Sequence, residues 1–208
     1  MSIPRRREAY HHGDLRRELL REGLALVREL GIEGLTLQKL AKRVGVSAPA
    51  LYHHFASKQA LLFALGEAAI GELETALAPT LTPTRTSSGA EVGVPLEAFV
   101  LTYVRFAREN PELYELMFGR STWRGGERTE FHAHARRSFR ALGERVALLR
   151  LAGHVPSRVE PLRLTQVAWA TLHGLCCMYN DGLAFTAETV EDIAKYAVKL
   201  LTSALHED

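Results

Sequence analysis

The residues best suited to chemistry form one short run, Ala48-Pro49-Ala50-Leu51-Tyr52-His53-His54. Leu51 has the character of a core residue. The other six are small, aromatic or hydrogen-bonding, and they cannot all be buried. A short helix that shows them outward suits the major groove of duplex DNA, which admits one helix and presents donors, acceptors and methyl groups on its base edges. A second chemically capable set lies far along the chain. Trp169 and His173 are spaced four apart, so they share one helix face. A histidine amid so much apolar sequence must find a hydrogen-bond partner or a ligand. It is either a core histidine held by a backbone carbonyl or a group that faces a small molecule.

Chemistry of other kinds is excluded. The chain carries no nucleophile-and-base set at motif spacing, no glycine-rich phosphate loop and no carboxylate pair, so it does not read as an enzyme. His132 and His134 are two apart and point to different helical faces, which argues against a shared metal. Cys176 and Cys177, the only cysteines, are adjacent. That is a poor disulfide framework and a poor zinc site. In a reducing cytoplasm they read as small hydrophobes rather than redox sensors. No metal and no cofactor is expected.

The elements that must position Tyr52 and His53 are legible on both sides of them. Thr36 is an N-cap for a helix with Leu37, Leu40, Ala41 and Val44 on one face. Gly45 ends it cheaply in a left-handed conformation. Ser47 caps the next helix, Ala48 to His54, and Pro49 falls in its first turn, where a missing N–H costs little. Leu51 and Phe55 point inward. Ser57 caps a further helix that opens with Lys58, a good phosphate clamp at a helix start. Two short helices at a steep angle across a glycine-containing turn make a helix-turn-helix.

Leu37, Leu40, Ala41, Gly45, Val46, Ser47, Leu51, Tyr52, Phe55, Lys58 and Leu61 together resemble the N-terminal DNA-binding domain of the TetR family of transcriptional regulators, over about residues 14 to 64. The resemblance implies an all-helical, dimeric repressor whose C-terminal domain binds a small molecule. The expected DNA-binding set is Arg5, Arg6, Arg7, Thr36, Ser47, Ala48, Pro49, Ala50, Tyr52, His53, His54 and Lys58. Thr36, Tyr52, Lys58 and the arm arginines would grip backbone, while Pro49, Ala50 and His53 would discriminate bases.

Charge is distributed accordingly. Residues 1–60 carry 11 Lys/Arg against 6 Asp/Glu, and the remainder 15 against 18. The net +5 on the first segment is the electrostatic footprint of a DNA-binding head. Arg5, Arg6 and Arg7 form an arm that either reaches phosphates or a minor groove, or serves as a solubilising tail. No run approaches 18 uncharged apolar residues, and the basic N-terminus has no apolar stretch after it, so neither a membrane span nor a secretory signal is expected. The cytoplasm is the expected location.

The chain reads as all-α, with about nine helices. Residues 1–60 form a helix-turn-helix domain of three helices, and residues 61–208 a helical bundle for ligand binding and dimerisation. The helices are expected at about 14–30, 36–44, 48–54, 57–78, 92–109, 111–118, 127–151, 161–180 and 187–204, with residues 79–91 as a Pro/Thr/Ser/Gly loop. Gly23, inside an apolar stripe, marks close approach of another helix. Arg136, Arg137, Arg140 and Arg145 read as a solvated basic face. The eighth helix is apolar nearly all round and must be buried on all sides, so with the ninth it reads as half of a four-helix dimer interface: Leu164, Ala168, Leu172, Leu175, Ile193, Ala197, Leu200 and Leu201. Trp169, His173 and Gly174 resemble a Trp-His-Gly (WHG) subtype of the family's C-terminal domain, and Gly174 would let another backbone come close. A pocket lined by Tyr103, Phe106, Met117, Phe118, Trp123, Trp169, His173, Cys177 and Tyr179 would suit a small, largely apolar effector.

The reading that follows is a homodimeric repressor that binds a palindromic operator and is released by that effector. Its rival is a helical ligand-binding or structural interaction protein without sequence-specific DNA binding.

Overall fold

A computed structural model describes residues 12–81, 84–85, 91–92, 96–119, 130–153, 155–183 and 186–206 of the 208-residue chain. Among these, nine α-helices carry the architecture: α1 (His12–Gly34), α2 (Leu37–Val44), α3 (Ala48–His54), α4 (Lys58–Leu77), α5 (Leu96–Glu109), α6 (Pro111–Phe118), α7 (Glu130–Leu151), α8 (Pro161–Asn180) and α9 (Ala187–His206). The all-α expectation holds, with a small addition. A 3-10 turn, Ala78–Leu81, follows α4, and two-residue strands, β1 (Thr84–Arg85) and β2 (Glu91–Val92), pair antiparallel. Val92, expected in the fifth helix, lies in β2, and residues 93–95 lie outside the described residues.

The helix-turn-helix is built by local chemistry. The Thr36 hydroxyl accepts from the Lys39 N–H at 3.1 Å, that of Ser47 from Ala50 at 3.4 Å, and that of Ser57 from Ala60 at 3.1 Å. Each cap satisfies one of the orphan donors at its helix start. Gly45 adopts φ 76°, ψ 30°, and its N–H and that of Val46 both bond the Ala41 carbonyl, closing the turn. An added Cβ at Gly45 would meet nothing within 4 Å. Gly45→Val is therefore expected to cost about 1–3 kcal/mol from backbone strain alone, measured by urea unfolding. A variant as stable as the parent would contradict that account.

In α1 the regular helix breaks at Gly31, as expected. Gly31 sits at φ 69°, and the chain resumes a helical turn to Gly34. Gly23 does mark a close approach: a Cβ there would lie 2.7 Å from Leu65 Cδ2. Leu19, Leu24 and Val27 of α1, Leu35, Leu40 and Ala41 around α2, and Leu51 and Phe55 of α3 form one buried cluster with Leu61, Leu62 and Leu65 of α4. That cluster continues through Ala69, Ile70, Leu73 and Leu77 into the C-terminal helices.

Helix α4 packs on α1, α5, α6 and α7, and α1 also touches α6. Polar ties reinforce these seams. Arg28 of α1 pairs with Glu72 of α4 and donates to Asn110 Oδ1 at the start of α6, 3.2 Å away. Phe131 of α7 stacks on Phe63 with ring centroids 6.1 Å apart, and it packs on Gly66 of α4. One turn on, His134 lies between two α4 carboxylates, Nε2 3.3 Å from Glu74 and Nδ1 3.6 Å from Glu67, while Ser138 donates to Glu74.

Helix α8 packs on its own chain along one side, as expected, through Pro161, Thr165, Leu172, Leu175 and Cys176. Its other side keeps Val167 and Met178 exposed, because one neighbouring layer, α5 with α7 and α9, packs against it. Among the described residues nothing within 4 Å would meet a Cβ at Gly174, so none of their backbone makes the close approach expected there.

Candidate nucleic-acid interface and effector site

The surface of α3 is laid out by its two inward anchors. Leu51 and Phe55 are buried, and the Arg16 guanidinium lies 5.5 Å over the Phe55 ring. Ser47, Ala48, Pro49, Tyr52 and His53 are exposed, while Ala50 and His54 are half-buried. Tyr52 keeps 52% of its surface accessible, high for a large aromatic side chain. A crevice of about 290 Å³ lined by Leu15, Ala50, His53 and His54 separates α3 from α1. Thr36 and Lys58 are half-buried at the flanks. Arg5, Arg6 and Arg7 lie outside the described residues.

The scaffold behind α3 is clamped electrostatically. Arg43 of α2 bonds Glu22 at 2.5 Å and takes Glu29 in a bidentate fork at 2.6 and 2.7 Å. The fork holds the Glu29 carboxyl below its ordinary range. This ties α2 to α1 through three hydrogen bonds of the Arg43 guanidinium. Lys39 is likewise occupied, donating to the Gly34 carbonyl at 2.8 Å.

The second site is an aromatic cluster between α5, α6 and α8. Trp169 and His173 stack almost parallel, 4.7 Å between centroids and 4° apart in plane, and Tyr114 stacks on His173 at 5.6 Å. Phe118 closes on both Trp169 and His173, and Phe139 of α7 on Trp169. A polar chain threads these rings. The Tyr103 and Tyr114 hydroxyls are 3.1 Å apart, Tyr114 Oη lies 2.7 Å from His173 Nδ1, and Cys177 Sγ lies 3.5 Å from His173 Nε2.

Burial keeps every member of the chain neutral. It pushes the Tyr103 and Tyr114 phenols well up, the Cys176 thiol up to about 12, and the Cys177 thiol up with help from Asp181 and Glu115. It pushes His173 down. Such thiols are poor nucleophiles. The cluster is a hydrogen-bonded aromatic network without charge.

The His173 shift has a sign that can be tested. An imidazole held neutral on folding binds fewer protons than in the unfolded chain. Its contribution is complete above the unfolded value of about 6.5 and is lost as pH falls through and below it. His132, lowered by burial and by Arg136, adds in the same direction. The melting temperature is expected to drop from pH 7.5 to 5.5, and to drop less in His173→Gln. An equal or steeper drop in the variant would reverse the assignment.

Of the expected pocket residues, the structure brings together Tyr103, Phe118, Trp169, His173 and Cys177. Phe106 and Met117 are buried in the core, and Tyr179 packs half-buried against it. Trp123 lies outside the described residues. Tyr114 and Phe139 are the participants that sequence reasoning missed. For Tyr114 a signal existed: it stands four before Phe118 and so shares its face.

On α8 and α9, Leu172 and Leu175 are each only 7% exposed. They belong to the chain's own core and are corrected from the expected subunit interface. Leu164, Ala168, Ile193, Ala197 and Leu201 are half-buried, and Leu200 is exposed. The large apolar side chains left outward are Leu162, Val167, Met178, Tyr196 and Leu200. Among the described residues, no group of three His, Cys, Asp or Glu is disposed to hold a metal, and no helix is long and apolar enough to cross a membrane.

Known proteins share both halves of this arrangement. The family model for bacterial regulatory proteins of the tetR family matches residues 19–65, and the model for the tetracyclin repressor-like C-terminal domain matches residues 96–203. The tetracycline repressor protein class A from transposon 1721 of Escherichia coli is 51% identical over 61 residues, 29% of this chain and 28% of its own. The nucleoid occlusion factor SlmA of Haemophilus ducreyi is 32% identical over 91 residues, 44% and 43% of the two chains. The chain thus spans between a quarter and a half of the length of these curated relatives. Over the whole fold, a protein of unknown function from Rhodococcus sp. RHA1 superposes with TM-score 0.78 at 30% identity, covering 96% of this chain and all of that one. The regulator PfmR from Thermus thermophilus shares the fold at TM-score 0.61 and 23% identity, over 91% and 99% of the chains.

Proposed function

The chain belongs to the TetR family of bacterial transcriptional regulators, and is a regulator rather than an enzyme; from that premise we propose that it is a homodimeric repressor released by a small, largely apolar effector. Residues 1–60 act as the reading head and residues 61–208 as the sensor and dimerisation domain. The observation that carries this reading is the outward face of α3, held by Leu51 and Phe55 and flanked by three capped helix starts, with Tyr52 free of the core.

In this reading α3 enters one major groove per subunit, and two-fold symmetry demands a palindromic operator. Thr36, Tyr52, Lys58 and the arm residues Arg5, Arg6 and Arg7 grip phosphates. The exposed apolar side chains of α8 and α9, with Leu164, Ala168, Ile193, Ala197 and Leu201 beside them, supply the subunit interface. The protein works in the cytoplasm, where its DNA is.

The effector contacts the cluster of Tyr103, Tyr114, Phe118, Trp169 and His173, and the Trp169-His173-Gly174 spacing supports the WHG subtype of C-terminal domain. Helix α4 runs from the reading head to α7, and α6 touches both α1 and α4. Binding at α5, α6 and α8 can therefore shift the heads, provided the effector prefers the arrangement that does not fit DNA.

The test is a gel shift with the full chain and duplexes selected from a random pool. Two-fold symmetric sites whose affinity falls steeply with salt are expected. Native mass spectrometry of the complex should show two chains per duplex. Absence of any sequence-selective, salt-dependent binding would sink the repressor reading and favour a helical ligand-binding protein.

A further inference from the structure

The side chains that usually read bases are missing from α3. Sequence discrimination in a major groove rests on forks: Arg or Lys on guanine, Asn or Gln on adenine, Asp or Glu on cytosine. The sequence of α3, APALYHH, holds none of them. Of the charged side chains around the turn, Lys42 is exposed in the last turn of α2, and the other three are engaged within the protein. Arg43 is bound on three sides by Glu22 and Glu29, Lys39 is turned back onto Gly34, and Arg16 covers Phe55. The Ser47 oxygen is engaged as the cap of α3. What the first turn offers is carbon: the Ala48 methyl and the Pro49 ring, both exposed, and the Ala50 methyl, half-buried beside them.

One feature of a base-pair edge in the major groove is complementary to carbon, the C5 methyl of thymine. We propose that Ala48, Pro49 and Ala50 select thymines by methyl contact, so that each operator half-site carries A·T pairs under the first turn of α3. The discrimination is steric and hydrophobic there, and hydrogen-bonded reading is left to the His53 end of the helix. This rests on the DNA-binding reading above and adds the chemistry of the half-site to it.

The experiment uses the full chain and its best duplex from a random pool. Deoxyuridine replaces thymidine one position at a time, which removes a methyl and leaves the pairing unchanged. Replacement under the first turn of α3 is expected to weaken binding about 4-fold per methyl, and about 15-fold when both half-sites are changed. A 5-methylcytosine·guanine pair at that position should bind better than cytosine·guanine. In Pro49→Ala, an exposed site whose change leaves the fold intact, the deoxyuridine penalty should shrink towards none, which separates contact with Pro49 from altered DNA stiffness. Tight, selective binding that ignores every deoxyuridine, or selected half-sites with G·C pairs under α3's first turn, would overturn the methyl reading and leave the DNA-binding reading standing. Failure to bind any duplex would overturn both.

Discussion

Ala48→Asp is expected to keep the fold and lose the operator. Ala48 is exposed at the first position of α3 and is not part of the core. A carboxylate at a helix start is favourable to the helix, so stability should hold or rise slightly. Against DNA the same carboxylate replaces a methyl at the groove floor and faces two rows of phosphates. Losing one good base contact costs about 1–3 kcal/mol, and a two-fold complex loses it twice. The drop should be at least about 30-fold in operator affinity. Gel shifts of parent and variant, with circular dichroism melts of both, check it. A variant that melts like the parent and binds like the parent would show that this face of α3 does not meet DNA.

The second large effect is on stability. Phe131→Ala should cost about 3–5 kcal/mol. The ring is 1% exposed, stacks on Phe63 and lies against Gly66 of α4, where an added Cβ would stand 2.8 Å from Phe131 Cε2. Gly66→Ala should therefore cost about 1–3 kcal/mol in the parent by overpacking a rigid ring. In the Phe131→Ala background the same methyl enters the cavity, and its cost should vanish or change sign. Urea unfolding of the four chains gives the coupling directly. Additive costs would mean that the ring does not rest on that glycine. Because α4 joins the reading head to α7, the cycle also measures the seam through which a bound effector is proposed to act.

The parts of the site that were legible in advance share a short range. Thr36, Ser47 and Ser57 each cap an N–H three residues on, and Gly45 turns the chain within one bond of Ala41. Those contacts are decided by residue type and spacing, so the helix-turn-helix could be drawn nearly residue by residue. The same held for the inward register of Leu51 and Phe55, since 3.6 residues per turn leaves few choices. Gly23 could be picked as a contact point because glycine in an apolar stripe has no other evident use.

The effector site was legible only in part. Tyr103, Phe118, Trp169, His173 and Cys177 could be nominated because aromatic and soft side chains recur on helix faces. That Tyr114 rather than a backbone carbonyl holds His173 could not be read, because the partners stand 59 residues apart in sequence. Leu172 and Leu175 went to the wrong surface for a related reason. A helix apolar on every side does not say which side its own chain will cover.

By itself, then, the amino-acid order determined the helix set, its caps and turns, and a reading helix with a carbon-faced first turn, since each is governed by contacts within about one helical turn. The tertiary structure alone decided which apolar faces are spent inside the chain, which groups satisfy the buried imidazole, and how α4 meets α7. Those outcomes depend on how whole helices compete to cover one another, and no local pattern records the winner.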